Sequence, residues 1–350
     1  MRQKRRYRSF NLGFCAVVCA ITLSFDAVLL LTHSADFYTI DLVAEALTRR
    51  GARPFRLNTD RFPASVKLSA RAGDDRATHL VTDAGTQISA AEIRAVWARK
   101  LWAPRMDADL DERFREMCVR ESVAALEGFL DALHDARWVN DIRRERAAEN
   151  KQRQLRVAAQ AGLLIPRTLV TNDPAAARQF FAETEGRMVA KLLRPLTVSM
   201  NAPSLFVYTS RVREEDFDGA ETLRHSPMVF QELIPKAREL RVAWVAGEAY
   251  TGALDASGTS RGQTDWRRAA PEECRWQRAE LPAEVSSGLQ ALMSGLGLVF
   301  GAIDLICTPA GEHVFLEVNP SGEWGMLERC PGLPVADAIA DLLLGRSRRR

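Results

Sequence analysis

The sequence predicts an α/β domain followed by an α+β body, and three observations carry that reading. From Ala27 an apolar run to Leu31 gives way to a polar turn and then to an amphipathic stretch, Ile40 to Arg49, closed by Gly51. Strand followed by helix is how an α/β domain opens. Beyond residue 166, short apolar runs recur between turn residues, as antiparallel strands do. Finally, Asp304 lies within the apolar run 301–306, and Glu317 and Asn319 alternate along a second run a short hairpin away. Three oxygen donors on one face of two neighbouring strands read as a magnesium site.

The elements follow in order. A second strand is expected at 54–57, an alternating hairpin-like stretch at 66–88, and a further strand at 95–99. Residues 113–134 carry Met117, Val123, Leu126, Leu130 and Leu133 at helical spacing, and they close a first domain at residues 26–136. A second unit, 137–235, starts near Trp138. Its helix at 148–161 holds Lys151 early and ends at Gly162, a residue suited to a C-terminal cap. Strands at 168–171, 188–193, 205–209 and 228–233 alternate with a helix that begins at Asp173-Pro174. The strand 241–245 belongs to a third unit, 236–345, which contains the candidate metal residues, and a basic tail occupies 346–350.

The chain has 350 residues, 47% of them hydrophobic, which is enough for two or three domains with a substantial core. Its formal charge is +3, yet nine of the 48 Lys and Arg lie at the two ends, at residues 2, 4, 5, 6, 8, 346, 348, 349 and 350. The body therefore holds 39 basic against 45 acidic residues, a balance of −6. Such a body argues against a broad nucleic-acid surface. The six cysteines form no C-x-x-C pair and read as free thiols of a reducing compartment. Residues 1–25 form a basic, then apolar leader, for which three readings stay open: a signal-like segment, a membrane anchor or interfacial segment, or a mis-assigned start.

Several residues carry chemistry. Lys191 is a lone lysine in an apolar strand, where it either binds an anion or snorkels to water, and taken alone snorkelling is the commoner case. The segment 228–245 reads as two strands joined by an extended linker, a good hinge for an adenine ring. Backbone groups at Glu232, Leu233 and Ile234 would read the ring edge, Glu239 would accept from ribose hydroxyls, and Arg241 would neutralise phosphate. A plain strand pair with a surface Glu-Arg pair is the alternative. Asp304, Glu317 and Asn319 together are more specific, because two carboxylates at matching positions repel unless a cation joins them. Arg267 follows a glycine- and serine-rich stretch and either reaches a transferring phosphoryl group or sits in a loop anchored by Trp266.

With these residues in view, the chain resembles the ATP-grasp superfamily and, within it, the microviridin-type graspetide ligases. The likeness is carried by Thr32-His33 with Asp36, residues 56–60, Val96-Trp-Ala-Arg99, Trp138-Val-Asn140, residues 150–155 and 162–172, Phe230-Gln-Glu with Glu239-Leu-Arg241, Asp265-Trp-Arg267, and Glu317-Val-Asn-Pro-Ser-Gly-Glu-Trp324. It implies an ATP-grasp fold with an N-terminal pre-ATP-grasp α/β domain, in which the second unit is the central lid. By this likeness Lys151 and Lys191 contact the ATP phosphates, residues Gln231 to Ile234 the adenine, and Asp304, Glu317 and Asn319 two Mg2+ ions. Arg241 and Arg267 then steady the γ-phosphate and an acyl phosphate. The implied reaction activates an Asp or Glu side chain of a ribosomally made precursor peptide, which a Ser or Thr hydroxyl or a Lys amine attacks to close an ω-ester or ω-amide ring.

ATP chemistry favours the cytoplasm, and the resemblance implies a homodimer. Glu323 and Trp324, just past the metal strand, are candidates for contact with the peptide. One departure is that the stretch 195–203, where such enzymes carry a glycine-rich loop over the phosphates, has no glycine. Two competing readings remain: a ligase adding glutamate or another amino acid to a protein tail, and a non-catalytic, membrane-tethered ATP-binding protein.

Overall fold

The computed structural model describes residues 27–71, 85–193, 209–255 and 275–346, and residues 79–81 by their backbone. Arg267, the glycine-free stretch 195–203 and the N-terminal leader lie outside the described residues.

The first domain begins with β1 (Ala27–Thr32), wholly buried, followed by α1 (Thr39–Arg49) and β2 (Arg53–Asn58). Three short strands, β3 (Lys67–Ser69), β4 (His79–Val81) and β5 (Gln87–Ser89), form an antiparallel sheet of their own. Next come β6 (Ile93–Ala98), α2 (Glu112–Asp131) and β7 (Arg137–Val139). β2, β1, β6 and β7 make a parallel sheet in that order. β7, which the sequence reading grouped with the second unit, is the edge strand of this first sheet.

The helix expected at 148–161 is α4 (Lys151–Gln160), and a separate helix that was not expected, α3 (Ile142–Ala148), precedes it. The break falls at Asn150, whose side chain leaves the helical pattern to accept from the Arg153 amide, a capping bond that competes with helix continuation. The second domain then contributes β8 (Thr168–Thr171), α5 (Pro174–Glu183), β9 (Met188–Lys191), β10 (Ser210–Arg211) and β11 (Met228–Glu232). These strands form an antiparallel sheet in the order β10-β9-β11-β8.

The third sheet is antiparallel and five-stranded, with β14 (Gln277–Arg278), β13 (Glu248–Asp255), β12 (Arg238–Val245), β15 (Phe300–Cys307) and β16 (His313–Asn319) in that order. α6 (Ala283–Leu296) and α4 cover one face, packing on Val242, Trp244, Ile303 and Val318. α7 (Gly325–Arg329) and α8 (Val335–Leu343) cover the other, and there the core runs on without a break into Val28, Leu30 and Trp97 of the first domain. A shared core of this kind fixes the two domains against each other, because separating them would return that apolar surface to water. Arg50 reinforces the junction by pairing with both Asp337 and Asp341 of α8.

Candidate functional site

Arg241, Asp304 and Glu317 occupy one rung of the third sheet. Arg241 lies opposite Asp304 in the β12–β15 pair, and Asp304 opposite Glu317 in the β15–β16 pair. Directly opposed residues share a face, so the expected convergence of the two carboxylates is present. Asn319 stands one step along the same face, opposite Ala302. Like charges opposed in this way repel, and here two cations offset them. Arg241 Nη1 donates to Asp304 Oδ1 at 2.6 Å, while Lys151 Nζ lies 2.8 Å from Glu317 Oε2 and 3.2 Å from Asn319 Oδ1. Asn319 Nδ2 in turn donates to Glu317 Oε1.

The position of Lys151 follows from α4. One turn further on, Gln154 is buried against edge strand β16, donating to the Val318 carbonyl and accepting from the Val318 amide, as a strand partner would. Residues three apart share a helix face, so the contact that anchors Gln154 also turns Lys151 toward Glu317 and Asn319. The oxygen set of two carboxylates and an amide suits a hard divalent cation. Among the described residues there is no group of three or more His, Cys, Asp or Glu placed to hold a metal. The fit therefore rests on Asn319 completing the pair of carboxylates.

Past Asn319 the chain turns back over the sheet, and side chains from other elements hold four successive carbonyls. Asn140 donates to Pro320 O, Arg99 to Ser321 O and Gly322 O, and Arg241 to Glu323 O through Nε and Nη2. Buried carbonyls outside a sheet need donors, and this turn takes them from β7, β6 and β12. Gly322 lies so close to the strands that a Cβ there would come within 2.5 Å of Ala302 Cβ and 2.8 Å of Asn319 Cβ. Glu145 of α3 is buried beneath the turn, where desolvation, opposed by a hydrogen bond with Ser321, pushes its carboxyl up to about 8.

The Glu323 carboxylate faces the first domain. It accepts from Arg99 Nη2 at 2.5 Å and stands 3.8 Å from Lys100 Nζ. Burial raises its pKa, but Arg99, Lys100 and the Gly325 amide outweigh burial and hold it below the usual range. Trp324 departs from the expectation: it is fully buried in the core shared by the two domains and offers no surface to a peptide. The indole packs where the two domains meet, and that packing is its contribution.

The residues expected to contact nucleotide lie mainly in the second sheet. Lys191 ends β9, opposite Val229 of β11. Gln231 is buried and its amide donates to Thr168, so its side chain serves the sheet. The expectation that backbone at 232–234 reads adenine narrows, because the Glu232 and Leu233 amides already donate to the Arg167 and Arg187 carbonyls, as antiparallel neighbours do. Glu239 lies two residues before Arg241 on the same face of β12 and pairs with Lys236. Arg99, Lys100, Asn140 and Glu145 were not singled out as site residues from the sequence. The available signal was Arg99-Lys100 directly after the apolar run 95–98, where two adjacent cations call for a nearby anion.

Comparison with known proteins comes after this geometry. The model of the MvdD pre-ATP grasp domain matches residues 27–146. The macrocyclase MdnB from Microcystis aeruginosa MRC is 49% identical, covering 91% of this chain and 99% of its own, with a TM-score of 0.79. The macrocyclase MdnC of the same organism, solved with precursor peptide MdnA, is 37% identical over 91% of this chain and 99% of its own, with a TM-score of 0.81. A RiPP-associated ATP-grasp ligase of Chryseobacterium gregarium, solved with ADP and with leader and core peptides, is 30% identical over 93% of this chain and 98% of its own, with a TM-score of 0.85. No curated protein matches. Among the described residues, no helix is long and apolar enough to cross a membrane. The rung of Arg241, Asp304 and Glu317 thus stands in a chain aligned end to end with peptide macrocyclases, and the protein belongs to the graspetide ligases of the ATP-grasp superfamily.

Proposed function

We propose that the protein is an ATP-dependent ligase that closes ω-ester or ω-amide rings in a ribosomally made precursor peptide. The observation that carries this is the convergence of Lys151, Arg241, Asp304, Glu317 and Asn319 at one edge of the third sheet. An Asp or Glu carboxylate oxygen of the peptide attacks the γ-phosphorus of ATP and ADP leaves, giving an acyl phosphate. A Ser or Thr hydroxyl or a Lys amine then attacks the carbonyl carbon, and phosphate leaves with the anhydride oxygen while the nucleophile's proton passes to solvent. No enzyme nucleophile is needed, so the residues act by positioning and by offsetting charge.

In this reading Asp304, Glu317 and Asn319 hold two Mg2+ ions. Held there, Mg2+ would neutralise the charge of the transferring group. Lys151 and Lys191 lie against the phosphates, Arg241 and Arg267 against the γ-phosphate and acyl phosphate, and Glu239 against ribose. Glu323 frames the peptide side. The test is to incubate the purified protein with ATP, Mg2+ and the precursor encoded beside its gene. The expected result is ADP release with a product lighter by one water per ring. A product that gains the mass of an amino acid, or no product, overturns the reading.

A further inference from the structure

The C-terminal ends of β1 and β6 carry a cluster of charged residues for which the mechanism above has no role. Arg99 and Lys100 follow β6 and face residues 321–323 of the third domain, while His33 and Asp36 follow β1, with Asp36 3.7 Å from Arg99 Nε. In open α/β sheets, ligands gather at the carboxyl ends of the strands. Arg99 is completely buried, with Nη1 donating to Ser321 O and Gly322 O and Nη2 to Thr39 Oγ1 and Glu323, while Nε stands 3.7 Å from Asp36, so it cannot reach a substrate. Lys100 differs. Its side chain keeps 27% of its surface exposed, and its ammonium stands 3.8 Å from a carboxylate that Arg99 already holds, longer than a formed hydrogen bond.

Beside it, His33 is buried and stacked on Trp102 at 3.7 Å, and its Nδ1 has no hydrogen-bond partner among the described residues. The cluster connects to the reaction centre through Glu323, whose carboxylate faces Lys100 and whose carbonyl accepts from Arg241, which holds Asp304.

We infer that Lys100 is a substrate-binding residue of the first domain, which holds the reacting Asp or Glu carboxylate of the precursor while Arg99 keeps Glu323 from competing for it. An anion is the ligand that suits the ammonium of a partly exposed lysine whose nearest carboxylate is already held by Arg99. Burial and the adjacent Arg99 pull Lys100 below its ordinary range, consistent with an ammonium that gains from a second carboxylate partner. The inference rests on the ring-forming reading.

The experiment is a double-mutant cycle in binding. The precursor encoded beside the gene is made in its natural form and with every Asp and Glu of its tail replaced by Asn and Gln, and the Kd of each is measured by calorimetry with Mg2+ and ADP. The wild-type enzyme should bind the amide form about tenfold or more weakly, as loss of a charge-assisted contact requires. In Lys100→Met, which keeps the apolar stem, and in Lys100→Ala, the difference between the two peptides should shrink to less than twofold. A purely structural role for Lys100 would weaken both peptides equally and keep the tenfold difference, which overturns the inference, as does a wild-type enzyme that binds the two forms alike. Ring formation by the wild-type enzyme is scored separately by mass, so that failure of the ring-forming reading is distinguishable from failure of the Lys100 assignment.

Discussion

Replacing Glu145 by glutamine should make the protein more stable at neutral and alkaline pH and nearly unchanged near pH 4.5. Glu145 is 7% exposed, its Oε2 lacks a hydrogen-bond partner among the described residues, and burial lifts its carboxyl from 4.5 to about 8. The folded protein therefore keeps a proton on Glu145 that the unfolded chain has lost between those two values. A group raised in the folded state contributes fully below its unfolded pKa, and that contribution is lost as pH rises through the folded pKa.

Each pKa unit is worth about 1.4 kcal/mol, so the gap amounts to about 4 to 5 kcal/mol in all and about 3 kcal/mol by pH 7. Glutamine resembles the protonated carboxyl in shape and cannot ionise, so Glu145→Gln should recover most of that difference. The assay is urea unfolding of wild type and variant at half-unit steps from pH 4.5 to 9. The wild type should lose about 1.4 kcal/mol per pH unit relative to the variant between pH 5 and 8. Curves that run parallel across that window would mean that Glu145 is ionised in the fold and that the desolvation reasoning is wrong.

Four further outcomes follow from the site. Glu317→Ala removes a metal-facing carboxylate and strands Lys151, and precursor-dependent ADP release should fall at least about 100-fold, read by a coupled ATPase assay. Arg241→Ala frees both Asp304 and the Glu323 carbonyl, so kcat for ring formation should drop about 100-fold or more while the Kd for the precursor shifts little. Gly322→Ala drives a methyl into Asn319 and Ala302 and should cost about 1 to 3 kcal/mol in urea unfolding, with a loss of activity larger than the fraction unfolded explains. Arg50→Ala removes two partly exposed ion pairs between α1 and α8 and should cost about 1 kcal/mol in the same unfolding assay, leaving kcat intact.

Most of the strands and four of the helices, α1, α2, α4 and α5, were legible because their periodicity is local. β1, β12 and β15 are read from runs of apolar residues, and α2 from its apolar spacing. The pairing of Asp304 with Glu317 was legible for the same reason, since a short hairpin leaves few registers and only one puts both acids on a common face. The start of α4 was set a few residues early because an asparagine beside a helical pattern is ambiguous until its side chain is seen to accept from Arg153. Arg99, Asn140 and Glu145 were missed for a different reason. They act on carbonyls and hydroxyls some 160 to 220 residues away, and a backbone carbonyl carries no signature in sequence. Trp324 was misplaced by its neighbours: a tryptophan between Glu323 and Gly325 looks like an exposed turn, and only the docking of the first domain encloses it.

That docking bears on how the enzyme is built. The turn after β16 carries the last metal-facing residue, Asn319, at one end and Glu323 at the other, and none of the hydrogen bonds described for its carbonyls comes from β16 itself. Asn140 and Arg99 reach it from the first sheet, while Arg241 reaches it from β12. Without the first domain, two of the three donors would be absent and the carbonyls at 320–322 would turn to water, letting the turn relax. Charge-offsetting catalysis needs groups fixed before the reaction begins, because reorganising them during it cancels their effect. The first domain therefore helps to fix the turn between Asn319 and Glu323. Its core, continuous with that of the third domain, holds this turn in place, so the interface between the domains is under the same chemical constraint as the metal-facing residues.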